Sequence, residues 1–381
     1  MLRQSNPQIH VLTKRQDMDA ILPVWRELWD QAGPAELFLA PEWLLTWWDY
    51  YPRQKALAVV LVILNEEIVG IAPWYVERRF GYRRLRTLAH GFIDYEGILI
   101  RPGMERVVGT SLRNWLLSTR SCDEAAFDRL LQNIWIADPD PSVANAYSVA
   151  RDPAPSSLVL DLSNGWQQIR DKLSRNFRSG TERRIRRLTD LGDLSLRLIH
   201  SRAELDTFFP DFLKWKCDRY DDRYRTDSDV YSNGGFWAAE NVASYYHDVA
   251  RKLLEEGCLA FSCLLLNQKT ISAIFGIQKD RRFYYFSPAF LPLGTLSTGR
   301  IHLWFLLKEL CECNIDKFDF LIGNEEYKRK WPVTEHPLKA LRLQKTAYPH
   351  RIRRVFPAII EKIEKTDSFR RIYKQLKSCI R

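Results

Sequence analysis

Two stretches of the chain read as copies of one another. ALAVVLVILNEEIVGIAPW starts at residue 56 and CLAFSCLLLNQKTISAIFG at residue 258, a shift of 202 (258 − 56). That shift pairs Leu57 with Leu259, Ala58 with Ala260, Leu64 with Leu266, Asn65 with Asn267 and Val69 with Ile271. Each copy is a β-rich run, an Asn-led polar turn and a second β-rich run, the pattern of a hairpin. The flanks repeat as well. DAILPVWRELWDQA and PEWLLTWWDYY read as helices before the first hairpin; ELDTFFPDFLKWKCDRY and FWAAENVASYYHDVARKLLEE read as helices before the second. Each hairpin is followed by a strand (RRLRTLAH or RRFYYFSPAF), a helix (MERVVGTSLRNWLLSTR or TGRIHLWFLLKELCEC) and another strand (AAFDRLLQNIWI or DKFDFLIG). An element order that recurs in full predicts two tandem α/β units of one fold.

The seam falls in DPDPSVANAYSVARDPAPSS (138–157), where four prolines break periodicity, and SLVLDL restarts the chain as a strand. The expected organisation is a first unit over 1–150, a second over 151–348 and an extension over 349–381. In the extension Phe356, Ile359, Ile360, Ile363, Phe369, Ile372, Tyr373 and Leu376 keep helical spacing, so an amphipathic helix is expected. Packing across the body is its expected use; its basic face leaves a membrane-surface helix as the alternative.

Composition narrows the classes of function. With 46% hydrophobic and 27% charged residues the chain has the balance of a folded protein, and its net charge of +10 favours an anionic partner. A phosphorylated cofactor, a nucleotide-linked sugar, nucleic acid or a membrane surface would each qualify. The opening MLRQSNPQIHVLTKRQ lacks the apolar core of a signal peptide, and no apolar run approaches the roughly 18 residues of a membrane helix. The seven scattered cysteines suit free thiols in a reducing compartment, so a cytoplasmic location is expected. Cys311 and Cys313 form the only close pair and have no second pair or spaced histidine, so no metal site is expected. Trp25, Trp29, Trp43, Trp47 and Trp48 lie on the two early helices, where core packing is the simplest use and sugar stacking the alternative.

The second half reads strand, helix, helix, long hairpin, strand, helix, strand, short helix, strand, the order of the GNAT N-acyltransferase fold. Together with WRELWDQAG…LFLAPEWLLTWW, LSRNFRSGTERRIRRL and FDFLIGNEEYKRKW, the chain resembles the tandem-GNAT family that includes CelD-like proteins associated with cellulose biosynthesis. That family is similar to the Fem-type peptidyltransferases. The resemblance implies an α/β (α+β) pair of GNAT folds that moves an acyl group from acyl-CoA, most simply acetyl-CoA, to an amine. The acceptor would be a sugar or small metabolite, with polysaccharide-biosynthesis proteins as partners. PLGTLSTGRIHLW has Gly294 and Gly299 but not the Q/R-x-x-G-x-G/A spacing of the usual donor loop. A Fem-type aminoacyl-tRNA donor and a non-catalytic binding pair therefore stand as alternatives.

Ser297, Thr298, Gly299 and Arg300 lie between a strand and an apolar helix. Backbone amides at such a helix start receive phosphate, and Arg300 could pair with it; capping by Ser297 or Thr298 is the structural alternative. In FDFLIG, alternation puts Phe318, Phe320 and Ile322 on one face and Asp319 and Leu321 on the other. Amide-forming acyl transfer needs a neutral amine, a polarised carbonyl and a proton for the leaving group. The resemblance makes Tyr327 the proton donor. Lys328 would stabilise negative charge or hold phosphate, and Glu325, Glu326 or Asp319 would accept the amine proton. The glutamates also suit the positive first turn of a short helix. Along 169–188, Leu173, Phe177, Ile185 and Leu188 make an apolar stripe, while Arg175, Arg178, Arg183, Arg186 and Arg187 supply charge. Arg175 and Arg178 are candidate ligands of an anionic donor or acceptor, a solvated helix face being the alternative. In AHGFIDYEGILI the resemblance marks Asp94 as an acceptor-side residue, against a plain surface carboxylate.

Overall fold

The computed structural model describes residues 6–79, 82–131, 147–150, 153–223 and 241–345. The expected C-terminal amphipathic helix lies outside the described residues.

The first copy contains β1 (Gln8–Leu12), α1 (Arg15–Asp19), α2 (Leu22–Gln31), a 3-10 turn (Pro34–Leu39), α3 (Pro41–Tyr50), β2 (Lys55–Leu64), β3 (Glu67–Arg79), β4 (Tyr82–Thr87), the short β5 (Leu99–Ile100), α4 (Glu105–Ser118) and β6 (Glu124–Leu130). After β7 (Tyr147–Ala150), β8 (Pro153–Asp161), α5 (Gly165–Lys172) and α6 (Arg175–Thr189), the second copy runs β9 (Leu194–Leu198), α7 (Arg202–Arg223), α8 (Val242–Glu255), β10 (Leu259–Leu266), β11 (Lys269–Lys279), β12 (Arg282–Phe290), α9 (Thr298–Glu312) and β13 (Lys317–Ile322). A 3-10 turn (Lys328–Lys330) and β14 (Val333–Lys345) follow.

The repeat extends to the backbone. Asn65 and Glu66 have φ of 51° and 68°, and Asn267 and Gln268 have φ of 50° and 63°. Two successive left-handed residues make the turn whose twist matches a two-residue hairpin, and asparagine tolerates that region better than most residues. Each hairpin also carries one register shift, at Val62/Ile63 and at Leu264/Leu265, again 202 residues apart.

All the described strands belong to one sheet, with principal order β1-β2-β3-β4-β6-β14-β8-β13-β12-β11-β10-β9. Among the described residues, the parallel ladders between named strands are β4/β6 and β12/β13, one in each copy. β14 joins the copies, pairing β8 through Val333–Lys339 and β6 through Lys339–Gln344.

The SLVLDL segment restarts the chain as a strand, within β8, which begins at Pro153 and pairs with β13 and β14; what the expected element order lacks is β9. The partner of β10 that matches β1 is β9, reached only after α5 and α6. LSLRL has five residues and no buried one, so it carries the weak hydrophobic signal of an edge strand.

One core lies between the copies. Trp43 of α3 packs edge-on against Phe286 at 5.0 Å and Tyr246 at 6.1 Å, so the tryptophans of the early helices are mainly core residues. Buried Lys279, at the end of β11, donates to Trp29 O (2.7 Å) and Ala32 O (2.6 Å) at the C-terminus of α2. A cation there satisfies helix-end carbonyls and the dipole together. The opposite sheet face is covered by α4 in the first copy and by α5, α6 and α9 in the second.

Candidate active site

β12 and β13 are paired only from Arg282↔Lys317 to Tyr284↔Asp319, although β12 runs on to Phe290. Beyond Asp319 the pairing of β13 with β8 slips, and Leu321 takes a left-handed φ of 59°. Such a conformation is costly for a bulky residue and persists only where surroundings hold it. Asp319 does so by accepting the Leu321 N–H at 2.9 Å. The bulge also breaks the expected alternation. Phe318 and Phe320 keep one face, but Ile322 joins Leu321 on the other, packing against the core between the copies.

The bulge turns the Ile322 peptide toward a loop of the first copy. The Ile322 carbonyl accepts from Lys328 Nζ at 2.8 Å, and its N–H donates to the Asp94 carboxylate. Lys328 is 4% exposed and also pairs with Glu325 at 2.9 Å. Asp94 lies 3.8 Å from Arg129. Burial pushes its pKa up to about 6, against the pull of Arg129 and Lys328.

Asp94 is held by a stitched loop. Glu96 is fully buried, donates its N–H to Arg129 O (2.9 Å), accepts the Asp128 N–H (2.7 Å) and meets the His90 ring at 2.6 Å. Thus the loop fills the space beside β6 in the first copy, where the parallel β4/β6 pairing runs only through Arg84↔Glu124 and Leu85↔Ala125. Next to Asp94, the buried Tyr95 hydroxyl donates to Asp319 at 2.9 Å, and Arg282 donates to the other Asp319 oxygen at 3.1 Å. Burial raises the Asp319 pKa despite these partners. Tyr327, 38% exposed, immediately precedes Lys328.

At the far end of β12, Ser297 precedes α9 with φ 55° and no side chain caps the helix; Thr298 instead donates to Leu291 O at 3.2 Å. The capping alternative therefore fails for both residues; the Arg300 and Ile301 N–H groups donate back to Ser297 O, and the side-chain cap position of the helix start stays open to an anion. Gly299 packs under Phe290, where an added Cβ would come within 3.0 Å of the ring. The Arg300 guanidinium lies over the Phe177 ring at 4.8 Å. Its pKa is lowered by burial and then by Arg184, whose Nε donates to Thr295 O at 3.0 Å. Two arginines that repel one another beside an uncapped helix start suit a phosphate.

These two ends are linked through aromatic side chains. Phe177 stands edge-on to Trp331 at 5.4 Å, and Trp331 follows the turn that carries Lys328. The structure thus brings Asp94, Lys328 and Glu325 together, sets Asp319 behind them, and gathers Ser297–Arg300 at the helix start. Arg175 and Arg178 flank Phe177 on α6 and do not join the Asp94 group; Arg178 faces Asp171 at 3.7 Å. Three arginines escaped the sequence reading. Arg184 has a visible signal, because spacing with Phe177, Thr181 and Leu188 puts it on the buried face of α6. Arg129 and Arg282 have none, since only strand pairing defines their partners.

Residues 175–329 match the family model of an acetyltransferase (GNAT) domain. FemX has the same fold (TM-score 0.55, 11% identity, 88% of this chain and 96% of that one). So does the C-terminal domain of a putative lysylphosphatidylglycerol synthetase from Agrobacterium fabrum (0.53, 8%, 91% and 96%). A conserved protein of unknown function from Bacteroides thetaiotaomicron matches likewise (0.53, 12%, 89% and 100%). No curated protein sequence matches significantly. The chain is a mixed α/β protein whose second half matches a GNAT-type acetyltransferase domain, and its two copies of one element order share a single sheet.

Proposed function

We propose that the protein is an N-acyltransferase that moves an acyl group from acyl-CoA, most simply acetyl-CoA, to the amine of a sugar or small metabolite. The observation that carries this reading is the convergence of Asp94 and Lys328 on the Ile322 peptide, beside the gap between β12 and β13. Acyl-CoA supplies an acyl group already activated as a thioester. The amides at the start of α9, with Arg300 and Arg184, hold its pyrophosphate.

Asp94 is ionised above about pH 6 and accepts the proton that the amine loses as the C–N bond forms. Lys328, oriented by Glu325, stabilises negative charge on the carbonyl oxygen. Tyr327 is exposed enough to meet the departing thiolate and give it a proton. Asp319 is a positioning residue rather than a base, because Tyr95, Leu321 and Arg282 occupy its oxygens. Arg175 and Arg178 would meet an anionic donor or acceptor from α6. A role in polysaccharide or envelope biosynthesis rests on the resemblance alone.

Calorimetry with acetyl-CoA, followed by incubation of the donor with amino sugars and small amines, tests the reading. Binding followed by amide formation is expected. Absence of acetyl-CoA binding removes the donor assignment.

A further inference from the structure

The outward face of α6 carries Arg175, Arg183, Arg186 and Arg187, all exposed and without an ion-pair partner among the described residues. Arg184, on the inward face of the same helix, reaches the donor end through Thr295 O. The basic face therefore runs beside the proposed donor mouth for about 22 Å, the length of a 15-residue helix.

Two exposed leucines flank it. Leu191, just past α6, is 61% exposed and Leu291, just past β12, is 36% exposed. They stand at one end of the sheet: Asn267 in the β10–β11 turn donates to Leu191 O, and the Leu291 N–H donates to Ile271 O near the start of β11. Carboxylates bound the patch, with Glu182 along its edge and exposed Asp190 and Asp193 around Leu191. An extended polyanion or an anionic membrane would meet that acidic border unfavourably. A folded partner with one acidic helix and an apolar spot fits the alternation of charge and leucine.

We infer that this face docks an acidic carrier protein whose acyl group rides as a thioester on a phosphopantetheine arm. The inference rests on the donor reading above. The arm's phosphate takes the place at Arg184, Arg300 and the start of α9 that the CoA pyrophosphate would take. Protein–protein attraction along α6 supplies the recognition that free CoA lacks. This accounts for the basic face and for a donor loop without the usual glycine spacing.

The test measures binding of acetylated holo-acyl carrier protein, its apo form without the arm, acetyl-CoA, total tRNA and phosphatidylglycerol vesicles. Each is titrated against the wild-type chain and the R183E/R186E/R187E variant, whose changed side chains are solvent-exposed. The acetylated carrier is expected to bind more tightly than its apo form. Charge reversal should weaken both carrier forms at least tenfold and leave acetyl-CoA affinity within twofold. Carrier binding that survives reversal overturns the inference. So does binding of acetyl-CoA without carrier, which leaves the donor reading intact. Arginine-dependent binding of tRNA or vesicles without carrier also overturns it. If neither acetyl-CoA nor carrier binds, the donor reading fails and takes the inference with it.

Discussion

The Tyr95 hydroxyl donates a 2.9 Å hydrogen bond to Asp319, joining positions 224 residues apart at the base of the candidate site. Asp319 spends the same oxygen on the left-handed Leu321 and the other on Arg282, so one buried carboxylate sets the shape of the β13 bulge. Tyr95→Phe removes one of three partners and is expected to cost about 1–2 kcal/mol. Asp319→Ala orphans a buried hydroxyl and a guanidinium and releases the bulge, at about 3–5 kcal/mol. Urea unfolding of the two variants measures the order; equal losses would mean that Asp319 does not organise the bulge.

Asp94 makes a pH-dependent contribution of known sign. Its folded pKa of about 6 exceeds the ordinary aspartate value of about 3.9, so the folded chain binds the extra proton between those limits. Its contribution to stability is full below about pH 4 and is lost as pH rises through 6, by up to about 3 kcal/mol. Asp94→Asn is expected to flatten that slope in thermal unfolding. If Asp94 is the base, the same substitution also abolishes an acid limb of kcat/KM near pH 6. A limb that persists in the variant belongs to another group.

The parts legible in the sequence are those set by local pattern. The hairpins, the paired helices and the strand leading to Lys328 all follow from periodicity and turn residues, and the 202-residue shift located both left-handed Asn turns. Long-range pairing hid the rest. β9 is too short and too exposed to stand out, and the exchange of β14 between β8 and β6 has no local signature. At the candidate site, the resemblance names Tyr327, Lys328 and Asp94, and the fold brings Lys328 and Asp94 to the Ile322 peptide. Arg129 and Arg282 acquire meaning only when the strands bring them beside Asp94 and Asp319. Ile322 changed faces because one left-handed residue, Leu321, shifts the two-residue period by one.

The copies are expected to differ in donor capacity. In the first, Glu96 bonds to Arg129 O and the Asp128 N–H and so closes the strand edge that a donor would need. Calorimetry should give one acetyl-CoA per chain. Two equivalents would show that the loop yields to a ligand.

Arg300 and Arg184 should contribute to affinity rather than to the chemical step. Loss of one charged hydrogen bond to phosphate is worth about 1.5–3 kcal/mol, or roughly 10- to 100-fold in Kd. Arg300→Met is therefore expected to raise the Kd for CoA over that range, while phosphate-free fragments such as acetyl-pantetheine lose little. Equal losses for CoA and acetyl-pantetheine would place Arg300 away from phosphate.

His302, one turn into α9, is fully buried between Ser262 Oγ (3.0 Å from Nε2) and Ser272 Oγ (2.9 Å from Nδ1), with the Ser272 hydroxyl donating a hydrogen bond to Ala289 O at 3.3 Å. Burial pushes its pKa down to about 3, against about 6.5 for a free imidazole. The unfolded chain therefore binds the extra proton between those values, and stability falls as pH is lowered from 6.5 towards 3, by up to about 5 kcal/mol. That slope runs opposite to the one from Asp94. His302→Gln keeps a polar group but not both hydroxyl partners, so it should cost about 1–3 kcal/mol at pH 7.5. The variant should also lose less stability than the wild type between pH 6.5 and 4.5, because glutamine takes up no proton on unfolding. Denaturant midpoints across that range measure both effects. An unchanged acid slope in His302→Gln would mean that the carboxylates, not the buried imidazole, govern acid unfolding.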